Sequence, residues 1–529
     1  MNKRNFIFLL SIFLLILVFY VDISTSTQNH TSKNILIGSF VGGRSHVNPM
    51  LDIAVLLYER GYNIILVATE SHSLSLEYPT LKHVPLRARP YDFSYIKIVR
   101  ETFHKEYNYK NLAALHEFHI KSYNYPWYVF EVYKNTAEEF DVDLFFCDAL
   151  LNDACLDVAN ALKKPVVGYT VNLNALVTSM HKSDPTLKCH VSLENVSFFE
   201  RFRCVIIEPI RLLYLTYPFI NRLNDARKQI NVESVFTSAG RLLRTSLVLV
   251  DTFFGFEVPQ TLPPNIQEIG PVMSEEYPSL TPELDDFLNK HKRVLYVSFG
   301  TRFFTTIENN NKLLKAFIEA IDKKIIDGVI WTLVLTSKDD FSPTLNLLDG
   351  TEIQTSSILN NKHPHIHISK FGPQFSILNH NNTKLFLSHG GTISCHESLY
   401  TGTPMLVFPF AYDQAGNAEK LKLNGVGLIL SKLNLDVNDV ISKIDLLLKD
   451  ENVKKNVKRL KFLSMINSKR KYRAADLIEY TLHDSHNKGT SKGFLNDWIP
   501  KARFFEGDVN IYVALLSVIF GLRLIGIGI

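Results

Sequence analysis

Short runs of consecutive apolar residues recur along the chain and alternate with stretches whose apolar positions return every three or four residues. NILIGSF (34–40) reads as a buried strand, GGRSHVNP as a loop, MLDIAVLLYERG as an amphipathic helix and YNIILVAT as the next strand. Pro49 stands where a first helical turn accepts proline, and Gly61 stands just past the helix end. A second unit follows in DVDLFFCDAL and ALKKPVVGYTV with their connecting helix. Strands alternating with helices predict a parallel sheet covered on both faces.

The pattern changes over 76–135 and 185–245, which are rich in aromatics and mixed charges and read as helices and loops around a pocket. SLVLVDTFF closes the first half, and Pro259, Pro263, Pro264 and Pro271 then break regular structure, so a linker is expected over 259–288. A fresh set begins at RVLYVSFG (293–300) and continues through GVIWTLVLT, HIHISKF, TKLFLSHGG and TPMLVFPF. The expected fold is therefore α/β, with two Rossmann-like parallel-sheet domains over 27–258 and 289–485. Neither carries GxGxxG between a strand and a helix with an acid downstream, which removes the main support for a nicotinamide oxidoreductase.

The two ends add a location. Lys3 and Arg4 precede an apolar run from Phe6 to Val21, with Ser24 and Ser26 after it, so 1–26 reads as a secretory signal peptide. Residues 486–508 form a juxtamembrane segment, and 509–529 is apolar enough for a spanning helix if Arg523 snorkels. Sequons at Asn29, Asn195 and Asn381 fit a lumenal chain. This places the protein in the endoplasmic reticulum or another secretory-pathway membrane, with both domains lumenal.

Composition excludes other classes. A net charge of +4 on 529 residues leaves no footprint for nucleic acid. Basic runs at Lys454–Lys461 and Lys469–Arg473 read as solvated helix faces. The five cysteines show no zinc spacing. Cys189 and Cys204 could pair in an oxidising compartment, whereas Cys147 and Cys395 read as buried thiols.

The chemistry is concentrated in KFGPQFSILNHNNTKLFLSHGGTISCHESLYTGTPMLVFPFAYDQAGNAEK. The strand KLFLS runs into His389-Gly390-Gly391, and a helix opens at Thr392. Glycines at a strand–helix turn let backbone approach a ligand, and the free N–H groups of the helix N-terminus attract an anion. Glu397, one turn in, suits ribose hydroxyls. Asp413-Gln414, at the end of the next strand, suits sugar hydroxyls. The framework P-Q, S-H-G-G, E, G-x-P, P and D-Q-x-x-N resembles the signature of the UDP-glycosyltransferases, glycosyltransferase family 1 enzymes with a GT-B fold. VLYVSFGT (294–301) and PPNIQEIGPV resemble the family's flanks, and the resemblance runs from about residue 34 to the apolar tail.

The resemblance implies an N-terminal acceptor domain, a C-terminal UDP-sugar domain, and roles for individual residues. Phe371 stands where a tryptophan usually stacks on uracil, and Gln374 where a glutamine contacts the nucleoside. His389 and Ser394, beside Gly391, match phosphate contacts. Glu397 matches the ribose-binding acid, and Asp413 and Gln414 the pair that holds the transferred sugar. Thr301 and its neighbours match a loop facing the diphosphate. Ile393 departs from the family's usual asparagine.

His46 matches the catalytic base, and Asp148, ending DLFFCD, matches the aspartate that orients it; Asp153 is the fallback. The implied reaction is one in-line displacement with inversion and without a metal or other cofactor, UDP-sugar being the co-substrate. Asp141-Val142-Asp143 spells a metal-binding DxD but leads into a buried strand. A non-catalytic nucleotide-sugar-binding protein is the alternative, favoured only by Ile393. The expected acceptor is a small hydroxylated lipophile such as a sterol, lipid or phenol, and Gln414 leans towards glucose as the sugar.

Overall fold

The structure is a computed structural model that describes residues 33–40, 44–69, 81–86, 105, 126–150, 152–171, 189, 196–232, 246–259, 262 and 264–487. The first domain is built on seven parallel strands: β1 (Asn34–Gly38), β2 (Asn63–Thr69), β3 (Lys82–Leu86), β4 (Leu144–Asp148), β5 (Val166–Thr170), β6 (Leu247–Val250) and β7 (Ile266–Glu268). Their spatial order is β3-β2-β1-β4-β5-β6-β7. Its longer helices among the described residues are α1 (Arg44–Glu59), α2 (Pro126–Glu139), α3 (Asp153–Ala161) and α4 (Glu208–Gln229). Continuous apolar strands are buried on both faces: Ile35, Ile37, Leu144 and Phe146 on one, Leu36, Phe145 and Cys147 on the other.

The second domain holds α5 (Pro282–Lys290), β8 (Val294–Ser298), α6 (Ile307–Asp322) and β9 (Gly328–Thr332). An antiparallel pair follows, β10 (Thr344–Asn346) and β11 (Glu352–Gln354). Next come β12 (Ile366–Ser369), α7 (Gln374–Asn379), β13 (Thr383–Ser388), α8 (Thr392–Thr401), β14 (Met405–Val407), α9 (Gln414–Leu423) and β15 (Gly427–Ile429). The chain closes with α10 (Val437–Lys449), α11 (Glu451–Asn467) and α12 (Arg470–Asn487). Its six-stranded sheet is parallel, in the order β12-β9-β8-β13-β14-β15. In both sheets the order reverses beside the first strand, and ligands of open sheets bind in the crevice at such points.

Several expectations shift. The segment 259–288 is not only linker: β7 pairs with β6 in the first sheet, and α5 buries Leu284 and Leu288 in the second domain's core. Phe253 and Phe256, just after β6, already pack into that second core. The span 289–485 does not stay with the second domain either. The α12 residues Ala474, Ala475, Ile478 and Leu482 are buried in the first domain's core, and Tyr62 Oη donates to Glu479 at 2.7 Å. Lys471 is not on a solvated face, because its ammonium is buried against the Met273 carbonyl at 2.7 Å and Glu275 at 2.5 Å.

The thiol expectation for Cys147 is overturned. Cys147 in β4 is disulfide-bonded to Cys155 in α3, because the turn between them folds the helix back over the strand with the two Cα atoms 6.0 Å apart. Cys189 is bonded to Cys204, and Cys395 is a buried thiol. His46 is not in a loop: α1 starts at Arg44 and takes it into the first turn, with Pro49 inside the helix. Asp143 of the DxD sequence accepts the Asn34 backbone N–H at 2.9 Å, at the opposite end of the sheet from His46. The leader 1–26, the segment 486–508 beyond Asn487 and the apolar tail 509–529 lie outside the described residues; among the described residues no helix is long and apolar enough to cross a membrane.

Candidate active site

Parallel pairing of β1 with β4 brings Gly38 opposite Cys147, so the chain leaving β1 runs beside the end of β4. Asp148 is fully buried there. Its Oδ2 accepts Ser39 Oγ at 2.9 Å, and its Oδ1 accepts the Leu150 backbone N–H at 3.1 Å. The same Oδ1 lies 3.0 Å from His46 Nδ1. With the carboxylate as acceptor, Nδ1 carries the proton and Nε2 is left as the basic nitrogen. Burial alone would depress the pKa of His46, but the charge and hydrogen bond of Asp148 outweigh it and the net shift is upward. Asp153 serves elsewhere, accepting Arg227 at 3.0 Å beside Asp157.

His46 faces a cavity of about 380 Å³ lined by both domains. The first domain contributes Ser45, Asn48, Leu150 and Val171. The second contributes three helix N-termini, at Pro373–Gln374, Gly391–Thr392 and Asp413–Gln414, none capped by its N-cap side chain. Helices α5, α6 and α10 each carry a side-chain cap from Thr281, Thr306 or Asp436. The cavity-facing ends thus keep N–H donors for a ligand.

The remaining site residues gather here. Thr301, Phe371, Gln374, His389, Gly391, Ser394, Asp413 and Gln414 all line the cavity. Phe371 is 63% exposed, so a ring face is open to a planar partner. Glu397 sits one layer behind: Gln374 Nε2 donates to its Oε2 at 2.7 Å and to Ser394 Oγ at 3.2 Å. Burial raises its pKa to about 7, with Gln374 partly opposing. Asp413 accepts Thr392 Oγ1 at 2.7 Å and Asn417 Nδ2 at 2.8 Å, tying α8 to α9. Gln414 uses its carbonyl to receive the Phe410 and Ala411 N–H groups at 2.8 and 3.1 Å, which orients its amide with the NH2 end as the donor.

His389 is buried, and burial lowers its pKa to about 4, so its imidazole is neutral at pH 7. Two glycines hold it. Gly300 has a φ of 71°, and a Cβ there would meet the ring at 2.9 Å; at Gly391 a Cβ would meet Nε2 at 2.6 Å. Ile393 lines the same cavity with an apolar side chain. Sequence reasoning missed Ser39 and Arg302. Ser39 follows a strand and carries no motif, whereas the loop containing Arg302 was legible as facing the ligand. Among the described residues no three His, Cys, Asp or Glu side chains converge to hold a metal ion.

Two parallel-sheet α/β domains that together line one cavity match the GT-B architecture of glycosyltransferases. The fold is similar to that of the solved glycosyltransferase of kitacinnamycin, at a TM-score of 0.58 and 18% identity over 85% of this chain and 99% of that one. It is likewise similar to the calicheamicin glycosyltransferase, at 0.56 and 18% over 85% and 98%. Residues 42–482 match the UDP-glucoronosyl and UDP-glucosyl transferase family, and the chain belongs to it. A UDP-glycosyltransferase of Talaromyces amestolkiae is 29% identical over 528 residues, covering 94% of this chain and 97% of its own length. UDP-glycosyltransferase 1 of Phaeomoniella chlamydospora is 36% identical over 352 residues, 65% and 69% of the two chains. UDP-glucuronosyltransferase 1A6 of Homo sapiens is 24% identical over 79% of this chain and 77% of its own. The protein is thus a UDP-sugar-dependent glycosyltransferase enzyme, and the non-catalytic reading falls.

Proposed function

We propose that this enzyme transfers a hexose, glucose in the first instance, to a hydroxyl of a small lipophilic acceptor with inversion at the anomeric carbon. The observation that carries the reading is the buried His46–Asp148 pair opening onto the cavity that Asp413 and Gln414 also line. An alcohol is a poor nucleophile at neutral pH and needs a base at its proton. His46 Nε2 takes that proton. The acceptor oxygen bonds to the anomeric carbon from the face opposite UDP, the carbon–phosphate oxygen bond breaks, and its electron pair leaves with UDP. Asp148 holds the tautomer and stabilises the imidazolium, as in other histidine-based sites. The uncapped N-terminus of α8 meets the charge on the leaving diphosphate, so no metal or other cofactor is required.

Phe371, Gln374 and Glu397 take the uridine, Thr301, His389, Gly391 and Ser394 the diphosphate, and Asp413 and Gln414 the sugar. Leu150 and Val171 give the acceptor side an apolar wall suited to a sterol, lipid or phenol. The leader, the apolar tail and two disulfides support a lumenal enzyme of a secretory-pathway membrane.

The test is UDP release from UDP-glucose, UDP-galactose, UDP-glucuronic acid and UDP-N-acetylglucosamine with sterol and phenol acceptors and excess EDTA. Release with UDP-glucose, abolished in His46→Ala while UDP still binds, is expected. Undiminished turnover in His46→Ala removes His46 as the base, and full inhibition by EDTA removes the metal-free mechanism.

A further inference from the structure

A diphosphate entering this cleft brings negative charge that something must balance, and most of the residues around it cannot. His389 is neutral at physiological pH because it is buried. Ile393, in the first turn of α8, offers neither a charge nor a hydrogen bond. Asp413 adds a carboxylate to the same cavity. Among the described residues that line it, Arg302 is the single lysine or arginine.

Arg302 belongs to the loop leaving β8, and the loop is pinned beside the phosphate end of the cavity. Its neighbour Phe303 stacks on Phe410 with ring centroids 5.7 Å apart, and lies 5.5 Å from the His389 ring. Thr301 and Gly300 on the other side line the cavity too. Arg302 therefore lines the same cavity as the N-terminus of α8, with His389 packed next to its loop. It is also close enough to His46 for its charge to act on that imidazole, lowering its pKa against the pull of Asp148.

We infer that Arg302 is the cationic contact for the diphosphate of the donor, supplying at that end of the cleft the interaction that Ile393 cannot. This rests on the cleft being the UDP-sugar site. A guanidinium can hold two phosphate oxygens at once, and it keeps its charge at every working pH. As the bond to the sugar breaks, charge builds on the β-phosphate, so the contact strengthens along the reaction and favours departure of UDP.

The experiment is calorimetric titration of the full chain with uridine and with UDP, for wild type, Arg302→Lys, Arg302→Gln and Arg302→Gln with Ile393→Asn. Loss of one charged hydrogen-bonding group predicts that Arg302→Gln weakens UDP by about 10- to 100-fold while uridine binds as before. Lysine should fall between, and asparagine at 393 should recover part of the loss. The acid limb of kcat/KM should also move to higher pH in Arg302→Gln, because a charge that lowers the His46 pKa has gone. Equal UDP affinity in Arg302→Gln overturns the inference, as does an equal loss of uridine, which would mark a structural role. Wild type that binds neither uridine nor UDP would overturn the donor-site reading itself, and this inference with it.

Discussion

His46 Nδ1 and Asp148 Oδ1 stand 3.0 Å apart although 102 residues separate them in sequence. The contact exists because β1 and β4 are neighbours in a parallel sheet, which puts the start of α1 and the end of β4 on one edge. Three donors converge on that carboxylate, from His46, Ser39 and Leu150, so its orientation is fixed before any substrate arrives.

Asp148→Asn should therefore cost turnover by about four orders of magnitude, through loss of the tautomer and of imidazolium stabilisation. Asp148 raises the His46 pKa, and a histidine base works only when deprotonated, so wild-type activity should fall as pH drops through that raised pKa. In the variant that limb should move to lower pH. A kcat/KM profile with an unmoved limb would separate Asp148 from the base.

Glu397 sets stability against binding. Burial raises its pKa to about 7, so the native state holds its proton more tightly than the unfolded chain does. That contribution is complete below the ordinary carboxylate range and is lost as pH rises through about 7. Glu397→Gln should then raise the melting temperature relative to wild type at pH 8 but not at pH 5. The same variant should bind UDP several-fold more weakly at pH 8, since Gln374, which lines the cavity, loses the charged acceptor that orients it. Scanning fluorimetry and UDP titration at the two pH values check both halves; weaker melting at pH 8 would contradict the assignment.

Ile393→Asn restores a hydrogen-bonding group to the first turn of α8 inside the cavity. One new hydrogen bond to the donor is worth about 0.5–1.5 kcal/mol, or roughly two- to tenfold in affinity. Unchanged affinity for UDP-sugars would show that position 393 does not reach the donor.

Gly391→Ala places a Cβ 2.6 Å from His389 Nε2, closer than any contact that ring can accept without shifting. Gly300 also comes close to the Cε1–Nε2 edge of that ring, so the ring or the turn must move. Donor KM should rise with little change in melting temperature. An unaltered KM would show that His389 tolerates displacement and does not fix the phosphate.

Sequence patterning alone was enough for two parallel-sheet domains, because buried strands of that kind are written as unbroken apolar runs between helices. It also reached most of the second domain's share of the cavity. His389, Gly391, Ser394, Glu397, Asp413 and Gln414 lie within one strand–helix–strand–helix stretch, where local order nearly dictates spatial order. What it reached less well depended on distant packing. α12 follows the second domain in sequence, yet its Ala474, Ala475 and Ile478 bury against the first domain, a choice that no local periodicity encodes.

The sequence by itself therefore determined the family, the element types and the residues that line the cavity at three helix N-termini, since those features are written within short windows. Only the tertiary structure decided that Asp148 rather than Asp153 partners His46, because Asp153 turns to Arg227 while Asp148 ends the strand beside β1. It decided too that Cys147 bonds to Cys155 and that Glu397 accepts Gln374 from one layer behind the cavity. In each case burial and strand order chose among partners of equal chemistry, and those are properties of the folded chain as a whole.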